Sequence, residues 1–395
     1  MELNGGIHLA YCTNIHRGEG WAETFQTLKD YTLRVRDKVC ADRPYAIGLR
    51  LGHLAALELN DPRSDNLKVF RDWLDKNNCY VFTVNGFPYG QFHGARVKEQ
   101  VYRPDWTDKS RVDYTNLLFD ILVKLLPPGI AGSVSTLPGS FKEFISDDGA
   151  QGDAIIENVS KSGDHILQLI EKTGADLHLG LEPEPLGWFE NTAETIDFFD
   201  RFRASKGNAY DSVIGVNYDT CHLAIEFESA KDSVTALRNK NIRISKIHLS
   251  SALRLSPAPH SLSALKEFED DVYLHQVIAK AKDGSLKRYR DLPDALDAVA
   301  ECGKSEDEEW RVHFHIPLHC APGSQFNDTR DHIEDVLDLL SSDPSICQHL
   351  EMETYTWEVL PAEMQSGDVV EQLVKEYEWT LERMQKVGLG LSVNE

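Results

Sequence analysis

"SVIGVNYDTCH", residues 212–222, decides the fold. An apolar run that suits a buried strand ends in Asp219, and His222 follows three residues later. The run is nearly continuous rather than alternating. Strands of that kind belong to parallel sheets covered on both faces. A carboxylate that closes such a strand can cap the next helix. It can also stand at the mouth of the sheet, where parallel α/β barrels carry their chemistry. His222 reads either as a satisfied core histidine or as a second group facing the same space.

Working outward, the pattern repeats. Strand candidates are "HLAYC" (8–12), "YAIGLRL" (45–51), "CYVFTV" (79–84), "GSVSTL" (132–137), "DLHLGLE" (176–182), "ISKIHLS" (244–250), "RVHFHIPL" (311–318) and "HLEMETY" (349–355). Amphipathic segments lie between them. In 21–38, Trp21, Phe25, Leu28 and Val35 share a face. In 191–204, Asn191 can cap and Glu194 can reach back. In 367–387, Val370, Leu373, Tyr377 and Met384 form an apolar stripe, and Gly388 supplies a stop. Repeated βα units without a flexible linker predict an α/β fold, a single (β/α)8 TIM barrel over residues 1–395. The candidates number nine and a barrel needs eight. The irregular stretch 255–310 therefore reads as an insertion with an accessory hairpin turning at Asp283-Gly284. Either "HFHIPL" or "LEMETY" is then the eighth barrel strand.

Composition narrows the function. The 395 residues carry 41 Lys+Arg against 64 Asp+Glu, a net charge of −23. Such a surface repels phosphate backbones and anionic lipid, so neither nucleic acid nor a membrane span is expected. The seven cysteines are scattered with no C-x-x-C pair, which argues for a reducing compartment. The N-terminal stretch lacks a basic region followed by a long apolar run, and the cytoplasm is the expected location.

The expected strand ends collect carboxylates and imidazoles. They carry Glu182 and Glu184 in "GLEPEP", Asp219 and His222, and His248 in "KIHLSSALR". The late runs carry His313, His315 and His319 in "HFHIPLH", and Glu351 and Glu353 in "LEMETY". A mixed oxygen and nitrogen site of this kind suits a divalent metal ion such as Mn²⁺, Mg²⁺ or Zn²⁺. Tyr11, Phe87, Tyr89, Trp188 and Trp357 follow strand ends and read as an aromatic wall or as ordinary packing.

The order Glu182, Asp219-x-x-His222, His248 with Arg254 six residues on, and Glu353 resembles the xylose isomerase-like TIM-barrel superfamily. "YCTNIHRGEGWAETF", "TVNGFPYGQFHG", "VYRPDW" and "HLEMETYTWEVLP" resemble its EboE branch of metabolite-traffic proteins, over nearly the whole chain. The resemblance implies a metal held by Glu182, Asp219, His248 and Glu353. It implies Glu182 and Glu353 as an acid/base pair moving a proton through an enediolate of a small polyhydroxylated substrate or secondary-metabolite precursor. His222, Arg254, His315, Trp188 and Phe87 are the expected substrate contacts. Arg254 equally reads as a surface arginine. Glu351 and His315 compete with Glu353 for the last metal position. The branch also implies protein partners in metabolite handling. Two alternatives stand beside the isomerase. One is a metabolite carrier that binds without turnover. The other is an endonuclease IV-like phosphodiesterase with several metals, for which His53, His93 and the "HFH" histidines supply ligands and which the net charge opposes.

Overall fold

A computed structural model describes residues 1–90, 98–269, 272–320, 325–356, 360 and 367–391. Eight parallel strands form the barrel. In chain order they are β1 (Ile7–Tyr11), β2 (Tyr45–Arg50), β3 (Cys79–Asn85), β4 (Gly132–Thr136), β5 (Leu177–Leu181), β6 (Ile214–Asp219), β7 (Arg243–Leu249) and, after an intervening sheet, β13 (His349–Met352). Hydrogen bonding runs β1-β13-β7-β6-β5-β4-β3-β2. A parallel bridge from Cys12 to Gly48 brings β1 against β2 and closes the ring. The two-residue strand Glu2–Leu3 pairs antiparallel outside β1. Nearly every strand residue is buried, as the continuous apolar runs require.

Side chains alternate across each strand. Leu9, Ile47, Leu179, Val216, Ile247 and Leu350 belong to the main apolar core shared with the helices. The alternate positions turn inward; Ala10, Ala46, Tyr80 and Phe82 form a small apolar cluster there and many of the others are polar. At the floor, His349 Nδ1 lies 2.8 Å from Ser133 Oγ and His178 Nδ1 lies 2.5 Å from Ser245 Oγ. In the middle, Lys246 Nζ donates to Glu351 Oε2 (2.7 Å) and Ser135 Oγ (3.0 Å). Gly48 is required by this layer: a Cβ there would stand 1.9 Å from Glu351 Oε1. The carboxylates of the candidate site lie at the strand ends beyond Glu351.

The remaining strands form a separate antiparallel sheet. They are β8 (Leu253–Leu255), β9 (Val277–Lys280), β10 (Leu286–Tyr289), β11 (Glu309–Val312) and β12 (Asn327–Asp328), in the order β10-β9-β11-β8-β12. The expected hairpin is β9-β10, and its turn carries Gly284 at φ +86°. It is only one part of the element. The antiparallel strands begin at Leu253 and end at Asp328, beyond 255–310 on both sides. Phe268, Val277, Trp310, Val312, Phe314 and Ile316 give this sheet its own apolar cluster. Strand "RVHFHIPL" is the accessory one: its sheet pairing, at Arg311 and Val312, stops at Val312, and "HLEMETY" supplies the eighth barrel strand.

The helices follow their capping signals. Asn191 Oδ1 accepts from Glu194 N (3.0 Å) at the start of Thr192–Lys206. Glu194 reaches back to Glu190 N, one residue earlier than a capping box would. The 21–38 segment is broken: Trp21–Thr27 and Leu33–Val39 flank a π-helical turn at Leu28–Thr32. The last helix, Val369–Lys386, lays Val370, Leu373, Tyr377 and Met384 against the barrel. No described helix is long and apolar enough to cross a membrane.

Candidate metal centre

Asp219 answers both of its sequence readings. Its Oδ1 accepts from Cys221 N (2.7 Å), His222 N (3.0 Å) and Ser250 Oγ (2.6 Å), capping the short helix Thr220–Ile225. Its Oδ2 has no hydrogen-bond partner among the described residues and faces inward. There His248 Nδ1 stands 3.6 Å from Asp219 Oδ2, 3.0 Å from Glu182 Oε1 and 3.1 Å from Glu353 Oε2. One donor atom from each of Glu182, Asp219, His248 and Glu353 falls within 4.8 Å of the others, and all four residues are buried.

The orientation of each group has a cause. Glu182 directly follows β5, and period-2 alternation from His178 and Gly180 turns it inward. Glu353 continues the inward series His349, Glu351. Its Oε1 is occupied by Asn14 Nδ2 (2.7 Å) and Asn85 Nδ2 (3.2 Å), leaving Oε2 toward His248. Glu351, the competitor for the last position, lies one layer deeper, with Oε2 3.1 Å from His248 Nε2. It thus takes the Nε2 proton and leaves Nδ1 toward the three carboxylates, the carboxylate–imidazole pairing that orients metal-binding histidines.

Electrostatics agree with this arrangement. Burial alone would lower the His248 pKa, but Glu353 and Glu182 outweigh it and push it well above the ordinary histidine value. Burial raises Asp219 while His222 and His248 lower it, and the net direction is strongly down. Glu184 moves the other way: burial and the Glu182 charge drive it well above the carboxylate range. Three carboxylates around one imidazole in a dry site call for a cation, and the orphaned Asp219 Oδ2 is the atom that lacks one. Three oxygens and one nitrogen fit Mn²⁺, Mg²⁺ or Zn²⁺.

A cleft opens above these residues. Glu182, Glu353, His222 and Phe87 line it. His315 is buried just behind, with Nδ1 3.0 Å from Glu353 O. Two expected contacts lie elsewhere. Arg254 sits on β8 and its guanidinium pairs with Asp331 (2.9 Å), because the accessory sheet carries that strand away from the cleft. Trp188 donates to Asp148 Oδ1 (2.8 Å) and packs on Phe198. Tyr11 bonds His16 and Thr32, and Tyr89 stacks on His53. His93 and Trp357 lie outside the described residues. Sequence reasoning missed Asn14, Asn85, Tyr102, Tyr273 and Gln276 in or beside the cleft. Asn85 ends β3 and strand-end position could have found it. Tyr273 and Gln276 arrive from the accessory sheet, which no local signal predicts.

The barrel has the fold of xylose isomerase-like TIM-barrel proteins. Two solved structures carry the likeness: a xylose isomerase domain protein from Alicyclobacillus acidocaldarius subsp. acidocaldarius, at TM-score 0.51 and 10% identity over 97% of this chain and 99% of that one, and a D-tagatose 3-epimerase-like protein, at TM-score 0.50 and 13% identity over 97% and 98%. At those identities the likeness is one of fold. Comparison with family models and with curated proteins gave no match.

Proposed function

We propose that this protein is an EboE-like, divalent-metal-dependent isomerase or epimerase acting on a small polyhydroxylated molecule or secondary-metabolite precursor in the cytoplasm. Protein partners that hand over such metabolites belong to the same reading. Glu182, Asp219, His248 and Glu353 would hold the ion. Bound there, a divalent cation supplies Lewis-acid polarisation of neighbouring carbonyl and hydroxyl oxygens, which acidifies the adjoining C–H.

The chain's own groups do the rest. Glu182 and Glu353 come from β5 and β13, with two strands between them in the ring. Each keeps a carboxylate oxygen toward His248 and lines the cleft. One takes a proton from carbon and the other returns it, on the same or the opposite face. Asn14 and Asn85 fix Glu353 in rotation, so its free oxygen stays aimed. The carboxylates at the floor are buried, which limits water at the reacting carbon.

The observation that carries this reading is the pair of buried carboxylates facing one cleft across a shared imidazole. The test is solvent-deuterium incorporation into a panel of ketoses and ketose phosphates, followed by NMR with Mn²⁺, Mg²⁺ or Zn²⁺ added. Exchange at a carbon next to the carbonyl, lost in Glu182→Gln and in Glu353→Gln, is the expected result. Ligand binding in the cleft with no exchange for any bound sugar would transfer the site to the carrier reading.

A further inference from the structure

Arg254 and Trp188 stand away from the cleft, and other side chains take the places expected of them. Two aromatic pairs line it beside the carboxylates. Phe87, just past β3, meets Tyr102 edge to face at 5.4 Å between ring centroids, and Tyr102 rests on Phe141 (4.9 Å). Tyr273, in the segment that leads into β9, meets Tyr355, just past β13, at 5.4 Å. Tyr355 in turn packs on His315 (4.8 Å). Val101 packs on Tyr273 and, with Leu274, extends the apolar lining.

The Phe87 wall is held in place through its backbone. Asn85 Oδ1 accepts from Phe87 N (3.1 Å), while its Nδ2 donates to Glu353 Oε1 (3.2 Å). One amide thus ties the aromatic wall to the carboxylate floor. Arg111 is fully buried, and its Nη1 donates to Gly86 O (2.8 Å) and Phe87 O (3.0 Å). Rings fixed in this way receive a flat apolar group with little further loss of freedom.

The polar side chains of the walls are committed within the protein. Gln276 uses both ends of its amide, with Nε2 donating to Pro185 O (3.1 Å) and Oε1 2.7 Å from His313 Nδ1. Lys98 is the sole Lys or Arg among the described residues that line the cleft, and its Nζ donates to Asp291 Oδ2 (2.5 Å). A row of sugar hydroxyls against these walls would leave hydrogen bonds unmade. A phosphate fares worse. Glu182, Asp219 and Glu353 bring three negative charges against two on a divalent ion, and Glu184 lines the same cleft. That excess repels an anion, and the Lys98 charge is already spent on Asp291.

We infer that the cleft takes an uncharged ligand in two parts: a hydroxyketone head over the carboxylate floor, and an aromatic substituent against Phe87, Tyr102, Tyr273 and Tyr355. The substrate class is then an aryl-substituted hydroxyketone, neither a free sugar nor a sugar phosphate. The head rests on the metal-site reading above; the tail stands on the walls alone. Tyr273 and Leu274 reach the cleft from the accessory sheet, which gives that sheet a part in selecting the substrate.

The experiment titrates the full chain, loaded with Mn²⁺, in a calorimeter with α-hydroxyacetophenone, dihydroxyacetone and dihydroxyacetone phosphate. All three share a hydroxymethyl ketone head and lack a stereocentre, so only the substituent differs. α-Hydroxyacetophenone should bind at least about tenfold more tightly than dihydroxyacetone, as burial of a phenyl ring requires, and the phosphate should bind most weakly. Phe87→Ala and Tyr273→Ala should each cut the phenyl preference by about fivefold or more. Equal or tighter binding of dihydroxyacetone or its phosphate overturns the inference, as does a series in which none binds. A preference kept in full by both variants, with cooperative melting curves, removes the ring from these walls and overturns it too. Where a variant fails to fold, the wild-type series decides. The isomerase reading fails separately: a phenyl preference without deuterium exchange in any bound hydroxyketone keeps this inference and removes the proton transfer.

Discussion

Glu351→Gln is the most exacting perturbation of the barrel interior. Glu351 and Lys246 are both fully buried, and their charges meet at 2.7 Å with no water between them. The substitution keeps the shape and removes the charge. Lys246 then faces the Ser135 hydroxyl and a neutral amide in place of its counter-charge, and an uncompensated buried ammonium costs about 3–5 kcal/mol. The Glu351 pKa gives a second route to the magnitude. Burial pushes it up, Lys246 and His248 pull it down further, and it settles from 4.5 to about 2. That difference of about 2.5 corresponds to roughly 3 kcal/mol at about 1.4 kcal/mol per pH unit. Because the folded value is depressed, this stability is fully present above pH ~4.5 and is lost as pH falls toward ~2. Urea unfolding at pH 7 should show Glu351→Gln less stable by about 3–5 kcal/mol, with the difference shrinking below pH ~4.5. The double variant Lys246→Met/Glu351→Gln should recover most of the loss. Metal affinity should fall about 10–100-fold in the single variant, since His248 loses the carboxylate that holds its Nε2 proton. Equal urea midpoints for wild type and Glu351→Gln at pH 7 would refute the buried-pair reasoning outright.

Three further outcomes follow from the same geometry. Asp219→Asn keeps an oxygen to cap Thr220–Ile225 but removes the inward charge, so a chelator competition should show weakened metal binding with a melting curve shifted by no more than a capping loss of about 1 kcal/mol. Glu376 is buried against Thr354 and Gln372 with its pKa raised to about 8, so it folds protonated; Glu376→Gln should stabilise the protein at pH 7 by about 1–3 kcal/mol and flatten the pH dependence of urea unfolding between ~4.5 and ~8. Arg288 on β10 reaches from the hairpin to Glu226 and Glu190 on the barrel side, and Arg288→Ala should loosen that docking, seen as faster hydrogen exchange of the β9–β10 amides with the barrel amides unchanged.

The barrel was legible because eight buried strands leave eight apolar runs, and parallel strands need no turn chemistry to be recognised. The strand-end residues were legible for the same reason: period 2 carries Glu182, Asp219, His248 and Glu353 inward once the strands are placed. The accessory sheet was not. Only β9 and β10 have a turn signal, Asp283-Gly284, whereas β8 and β12 are three and two residues long and are defined by tertiary pairing alone. Arg254, which the resemblance makes a substrate contact and which equally reads as a surface arginine, falls in that sheet: the chain leaves the barrel at Leu249 and places Arg254 opposite Arg311. "RVHFHIPL" was ambiguous because Arg311 and Val312 end one sheet while its histidines turn to the mouth of the other.

The most direct test of the central claim is a crystal structure of the protein soaked in Mn²⁺, with anomalous differences collected at the manganese edge. A peak within coordination distance of Glu182, Asp219, His248 and Glu353 together is the predicted result. A protein that takes up no manganese there, with His248 still hydrogen-bonded between Glu182 and Glu353, would contradict it.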